Sequence, residues 1–341
     1  MSRFEKSSEI KVAVIGYGGA FNMGKYHLET GSKVGMIPTA VVDVDSKRLE
    51  AAKKDFPDIE TYSSVEKMLE KSSANLVILI TPHNTHAKLA VQCLKENRNV
   101  ISEKPMAVTT EECDAMIKQA EKNNLMLSVF HNRHWDGSII EAVQRIKKGE
   151  IGDVFRIEAH MGGYSNPGDW WRTSKSISGG ILYDWGVHLL EYSMQIINSE
   201  AIEVTGFARK GFWAEKTKWG KDTNEDEAFA VIRCKNDTWL TLCISSIDSN
   251  PKKGMLEITG TDGTYIMNYD TWEIVTHKNG IEYITKGRNP QSDGALLFYK
   301  NIVEHLVKGK ELIITPQWAR QFIHILDLAD QSAKKRIGLK A

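Results

Sequence analysis

The sequence predicts an α/β protein in which an N-terminal, doubly wound parallel sheet is followed by an α+β domain with a mostly antiparallel, open sheet. Three observations predict it. Short β-branched apolar runs alternate with amphipathic helical stretches as far as about residue 130, the pattern of βαβ units. The first of these runs passes directly into Gly16-Tyr17-Gly18-Gly19. Beyond residue 150, runs of period two separated by turn residues take over. The chain has 341 residues, more than the roughly 250 to 300 at which single cores stop growing. Two domains are therefore expected, 1–130 and 131–341, with the final helix able to pack back on the first.

Composition narrows the class of partner. Lys and Arg number 44 and so do Asp and Glu, so no excess field exists to hold a nucleic acid. The four cysteines, Cys93, Cys113, Cys234 and Cys243, form no Cys-x-x-Cys pair and read as small buried hydrophobes of a reducing compartment. Met1 to Glu9 is polar and charged, unlike a signal peptide or an anchor, and no apolar run approaches the roughly 18 residues of a membrane span. A cytoplasmic location is expected, with no membrane partner.

Taken in order, Ile10 to Ile15 reads as the first strand, and the glycines after it let the backbone turn and come close to a ligand. A helix beginning within Met23 to His27 would offer free N–H groups to a pyrophosphate. Ile37 to Val42 is a second strand ending at Asp43, the distance at which a dinucleotide fold places an acid on the adenosine ribose. Asp43 and Asp45 together would repel a ribose phosphate, which favours NAD, while Lys47 and Arg48 leave NADP open. Asp45 also suits the N-cap of a helix over Ser46 to Asp55. Ser63-Ser64-Val65-Glu66 has the spacing of a capping box with Ser63 as cap. Asn75 to Ile80 is an apolar strand leading into Thr81-Pro82-His83-Asn84-Thr85-His86. Asn99 to Ser102 is a strand that Pro105 prevents from continuing, so Lys104, in Glu103-Lys104-Pro105, is fixed at the ligand-binding edge of the sheet. Thr109 or Thr110 caps a helix over Glu111 to Lys122, and Leu125 to Phe130 is the next strand. The pairs His83/His86 and His131/His134 have metal-ligand spacing, yet no Cys or carboxylate set completes either, and no metal is expected.

In the second half, strands are expected at Val154 to Met161, Ala201 to Ala208, Ala228 to Cys234, Trp239 to Ser245, Gly254 to Thr259 and Tyr265 to Asn268, read together as one antiparallel sheet. Its open face is an expected homo-oligomer surface. Helices about Ala295 to Lys308 and Pro316 to Lys334 close the chain. Between the first two strands lie Asp169-Trp170-Trp171-Arg172 and then Gly179-Gly180 followed by Asp184 and His188. Four residues apart on a helix, Asp184 and His188 share one face. A carboxylate beside an imidazole suits a general base near neutral pH, although an ordinary helix ion pair has the same spacing. Trp170, Trp171 and Arg172, with Tyr164, Trp213 and Trp219, offer flat apolar faces and donors that suit a sugar ring, or else serve as core.

Gly16-Tyr17-Gly18-Gly19, Glu103-Lys104-Pro105, Asn132-Arg133, Gly179-Gly180 before Asp184-x-x-x-His188, and Gly260-Thr261-Asp262-Gly263 occur in the order of one family. Over nearly its whole length the chain resembles the Gfo/Idh/MocA family of NAD(P)-dependent sugar and polyol oxidoreductases. The resemblance implies a Rossmann domain in which Gly16, Gly18 and Gly19 approach the pyrophosphate and Asp43 binds the adenosine ribose. It implies that Pro82, Asn84 and His86 line the cofactor near its nicotinamide, with Glu103 and Lys104 also at the cofactor. Lys104 then reaches the substrate hydroxyl, Asp184 holds the substrate and His188 takes the hydroxyl proton, with Trp170, Trp171 and Arg172 on the substrate side. Gly24 and His27 take the places of the family's third glycine and following histidine if Ala20-Phe21-Asn22 is an insertion. The activity implied is oxidation of a secondary alcohol of a sugar, sugar derivative or inositol-like polyol. Two alternatives remain: a glycoside-cleaving enzyme that uses NAD for transient oxidation, and a non-catalytic regulator that binds nucleotide or sugar.

Overall fold

A computed structural model describes residues 3–19 and 21–341. The chain divides into two compact units, the first made of 1–132 and 293–320, the second of 133–292 and 321–341. In the first unit the elements run β1 (Lys11–Ile15), α1 (Met23–Lys33), β2 (Ile37–Val42), α2 (Ser46–Asp55), β3 (Glu60–Tyr62), α3 (Val65–Lys71), β4 (Leu76–Leu79), α4 (His86–Lys95), β5 (Asn99–Ser102), α5 (Thr110–Lys122) and β6 (Leu127–Val129). The six strands are parallel in the order β3-β2-β1-β4-β5-β6. Strands β4, β5 and β6 are buried at every position, as expected of a parallel sheet covered on both faces. The order reverses between β1 and β4, and a crevice forms there at the strand C-termini.

Local chemistry sets the helix starts. Asp45 caps α2 by accepting from Lys47 N at 2.9 Å, as its position predicts. The cap of α3 is Ser64, not Ser63: Ser64 is extended and accepts from Lys67 N, while the Glu66 carboxylate is taken by Gln92 at 2.8 Å. Strand β3 escapes the sequence pattern because it is three residues long and polar, as short sheet-edge strands are.

The second unit holds α6 (Gly137–Lys147), β7 (Val154–Gly162), α7 (Lys175–Ser178), α8 (Leu182–Ile197), β8 (Ala201–Arg209), β9 (Glu227–Cys234), β10 (Trp239–Ser245), β11 (Leu256–Gly260), β12 (Gly263–Met267), β13 (Thr271–Lys278) and β14 (Ile281–Arg288). The last elements of the chain are α9 (Gly294–Lys308), α10 (Pro316–Lys335) and β15 (Leu339–Lys340). The nine strands are ordered β14-β13-β12-β11-β7-β10-β9-β8-β15. The sheet is mixed rather than wholly antiparallel, because β7 and β10 run parallel at its centre. Each was expected as a strand, but alternation fixes which side chains share a face and not the direction of the neighbour. The β13–β14 hairpin also lies outside the expected strands; its sequence mark is Asn279-Gly280, both residues left-handed, at a two-residue turn. Helix α8 packs on β7 and β10, while the opposite face carries Phe229, Thr241 and Cys243 half-buried and Phe207 and Trp239 exposed.

Of the two terminal helices it is α9 that belongs with the first unit, whereas most of α10 belongs with the second. The Phe298 ring meets Phe130 edge-on at 5.0 Å, and Gly206 of β8 lies so close to α10 that a Cβ there would sit 2.0 Å from the Ala329 carbonyl oxygen. Among the described residues no helix is long and apolar enough to cross a membrane.

Candidate active site

In the first unit a cleft of about 690 Å³ opens at the C-terminal ends of β1, β2 and β4. Gly16, Gly18, Gly19, Asp43 and Pro82 line it, so five of the sequence-predicted cofactor residues stand together. Gly16 has φ +89°, and a Cβ on it would meet the Ile80 carbonyl oxygen at 2.4 Å; no other residue fits there. Asn22, left-handed, precedes α1 and makes no capping bond with its side chain. The first N–H groups of α1 thus lie beside a glycine loop with no cap among the described residues, the arrangement that receives a pyrophosphate.

The structure accounts for the long loop. Ala20 lies outside the described residues; Phe21 is exposed and Asn22 turns the chain into α1. Gly24 then stands in the first turn, where a Cβ would be 2.8 Å from Tyr17 Cα, so this glycine supplies the close helix-to-strand packing despite its shifted spacing. His27, one turn on, is fully buried.

Asp43 is at the end of β2 as expected, but its carboxylate is already at work. One oxygen accepts from Tyr17 N at 2.8 Å and the other from Asp45 N at 2.9 Å, which ties the glycine loop to the β2 loop. Each oxygen keeps a further lone pair for a ribose hydroxyl. Arg48 lines the same cleft, and its guanidinium lies 2.9 Å from where a Gly19 Cβ would be.

Asn84, His86, Glu103 and Lys104 are not among the residues lining this cleft. His86 is buried, with Nδ1 2.8 Å from the Pro105 carbonyl oxygen and Nε2 2.9 Å from that of Thr81, so its ring ties the loops after β4 and β5 together. Asn84 is exposed in a single turn between Pro82 and α4. Glu103 and Lys104 follow β5, and Lys104 N donates to Glu103 Oε2 at 3.0 Å. The other Glu103 oxygen is 3.1 Å from His27 Nε2, and His27 Nδ1 is 2.6 Å from the Tyr299 hydroxyl. With Nε2–H donating to the carboxylate, Nδ1 accepts from Tyr299. Burial pushes the Glu103 carboxyl up, but the His27 hydrogen bond and the charge of Lys104 outweigh it and hold the group below its ordinary value. Tyr299, 272 residues from His27, has no local sequence signal.

In the second unit α8 presents Asp184 in its first turn and His188 one turn later, on one face as the spacing predicts. Arg172 Nε is 3.7 Å from Asp184 Oδ1, and its guanidinium lies 4.4 Å from the Trp171 ring and 5.0 Å from that of Trp170. Trp170, Trp171, Arg172 and Asp184 are therefore one group. His188 is buried, with the Trp185 ring 5.6 Å away, and the Arg133 guanidinium lies over that same Trp185 ring at 4.7 Å. Trp219 donates to the Trp170 carbonyl at 3.0 Å, whereas Trp213 is buried and donates to the Ser246 carbonyl at 3.3 Å.

Sequence reasoning missed the polar run Asp222 to Asp226, which looks like a solvated loop and is largely buried. Asp222 accepts from Ser176 N at 3.0 Å, Asn224 donates to the Arg172 carbonyl at 2.5 Å, and Asp226 accepts from Phe212 N at 2.8 Å and Trp213 N at 3.0 Å. Its one sequence signal is five consecutive polar residues immediately before a strand. Of the paired histidines, His134 bonds Glu191 on α8 at 2.5 Å, and among the described residues no group of three potential ligands is placed to hold a metal.

A glycine loop leading into a helix at the reversal point of a parallel sheet, joined to a second α+β unit, defines a nicotinamide-dinucleotide-binding oxidoreductase. Two family models match the chain: an oxidoreductase family with an NAD-binding Rossmann fold over residues 10–131, and a Gfo/Idh/MocA C-terminal domain over residues 139–266. The chain belongs to the Gfo/Idh/MocA family. Among similar proteins, scyllo-inositol 2-dehydrogenase (NADP(+)) IolW of Bacillus subtilis is 28% identical, covering 97% of this chain and 96% of the relative. Myo-inositol 2-dehydrogenase of Thermotoga maritima is 27% identical over 67% of this chain and 66% of its own. The crystal structure of an NAD-binding protein from Listeria innocua superimposes with a TM-score of 0.83 at 25% identity, covering 98% and 97% of the two chains.

Proposed function

We propose that the protein is an NAD(P)-dependent dehydrogenase that oxidises a secondary hydroxyl of a sugar, a sugar derivative or an inositol-like polyol. The observation that carries this reading is the pair Asp184 and His188 on one face of α8, in a chain whose first unit has a glycine-lined cleft. Two inositol dehydrogenases among its relatives support the substrate class. A bound nicotinamide supplies the hydride acceptor. Gly16, Gly18 and the start of α1 would hold its pyrophosphate, Asp43 the adenosine ribose and Pro82 the wall nearer the nicotinamide. His188 takes the proton from the hydroxyl oxygen, a contribution of typically about 10² to 10⁴ in rate. Asp184 holds the substrate, and the Lys104 ammonium stabilises charge developing on the oxygen. Trp170, Trp171 and Arg172 offer a stacking face with donors at its edge.

Asp43 and Asp45 favour NAD, while Arg48 in the cleft wall supplies the cation that a ribose phosphate needs, so both cofactors are expected to serve. Arg48→Ala should lower kcat/KM with NADP about tenfold, the worth of one charge-assisted contact, and change that with NAD less; equal effects on both would remove Arg48 from phosphate recognition. Assembly into a homo-oligomer through the open face of the second sheet is part of the same reading, and sedimentation as a monomer at micromolar concentration would contradict it.

The deciding experiment is a screen of sugars and polyols, beginning with scyllo- and myo-inositol, against NAD and NADP while following reduced nicotinamide. Accumulation of reduced nicotinamide with a polyol is the expected result. Cleavage of a glycoside without net reduction would replace this reading with the redox-neutral glycosidase.

A further inference from the structure

The amide at the start of α8 has a partner far away in sequence. Ile181 N donates to Glu225 Oε2 at 3.0 Å, and Glu225 is 5% exposed. Its other oxygen is 2.8 Å from Lys175 Nζ and 3.1 Å from Lys210 Nζ, and Lys175 also meets Asp330 at 2.8 Å. This cluster encloses the Gly179-Gly180 turn: at Gly180, with φ +138°, a Cβ would lie 2.7 Å from Lys175 Nζ and 3.0 Å from Glu225 Oε2. Ile181, the N-cap residue, makes no capping bond with its own side chain, and Glu225 accepts its N–H as the N3 carboxylate of a capping box does elsewhere. The carboxylate also complements the positive end of the helix dipole. Asp184 is only three residues further on.

We propose that Glu225, held by Lys175 and Lys210, with Asp330 fixing Lys175, is a positioning residue that sets the first turn of α8 and with it the aim of Asp184 and His188. This rests on the roles given to those two residues above. An ion cluster present only for stability would be replaceable, because exchanging a buried ion pair for apolar side chains of similar volume is often neutral or stabilising. A positioning cluster is not replaceable in that way, since an apolar side chain offers no oxygen to the Ile181 N–H.

The test uses the full chain in four forms: wild type, E225Q, E225A and the double variant K175M/E225L. The double variant is expected to melt near wild type while amide exchange at Ile181 and the next turn rises by about tenfold or more, the factor that a hydrogen bond to a charged group is worth. Its kcat with a polyol should fall by a similar factor while its Kd for the reduced nicotinamide cofactor stays unchanged. E225Q, which keeps an acceptor oxygen, should retain more turnover than E225A. Wild-type exchange at Ile181 or wild-type kcat in a folded double variant would overturn the proposal. If that variant does not fold, equal exchange at Ile181 in E225Q and E225A overturns it instead. A wild-type protein that turns over no polyol would defeat the proposed function, and the exchange measurement would still decide the role of Glu225.

Discussion

Lys104 and Asp184 reach solvent by different means, and the difference shows in what stands behind them. Lys104 follows a strand whose neighbours β4 and β6 already fix the backbone, and Glu103, His27 and Tyr299 form a chain of side chains behind it. Asp184 sits in the first turn of a helix, where up to four N–H groups have no partner within the helix. There the protein invests a buried carboxylate, two lysines and a second acid. Sheet pairing holds both sides of a strand along its length; a helix end is held only by what is brought to it.

The largest test of this contrast removes the groups themselves. His188→Ala and Lys104→Ala should each lower turnover by about 10² to 10⁴, with circular dichroism showing that the fold is kept. Unchanged activity in Lys104→Ala would remove that side chain from the reaction. A smaller effect is expected behind the strand. Tyr299→Phe deletes a buried hydroxyl bonded to His27 and should cost about 1 to 2 kcal/mol in urea unfolding, with turnover changing less than in E225A. A larger loss of turnover than in E225A would reverse the comparison.

The smallest effect is on acid stability. Burial raises the Glu225 carboxyl, but Lys175 and Lys210 outweigh it and leave it below the ordinary 4.5. Asp330 is likewise raised by burial and brought below 3.8 by Lys175 and Lys334. A depressed carboxylate stabilises the fold above its unfolded pKa, and that contribution is lost as pH falls through the folded value. Melting temperature should therefore hold through neutral pH and decline below about pH 4.5, more gently in K175M/E225L than in wild type. Identical acid limbs would show that the cluster is not titrating in this range.

How much was legible follows from the range of each signal. The βα alternation, the glycine loop, the lysine after a strand and the i,i+4 spacing of Asp184 and His188 are all written within a few residues, and the structure places each where its pattern predicts. The α3 cap shifted by one residue because two adjacent serines offer the same local signal, and the side chain of Glu66 found Gln92 instead. The shifted Gly24 became intelligible only when Tyr17 was seen packed against it.

By itself, then, the sequence determined the two-part α/β architecture and the family, since periodicity, turn chemistry and short motifs are local properties of the chain. The tertiary structure alone decided the parallel pairing of β7 with β10, the return of α9 to the first unit, and the choice of Tyr299 and Glu225 as supports. In a chain with 44 acidic residues, no local pattern marks the one carboxylate that will be buried against a helix start 44 residues away, because that choice is made by packing, which brings distant segments into register and leaves only paired charges inside.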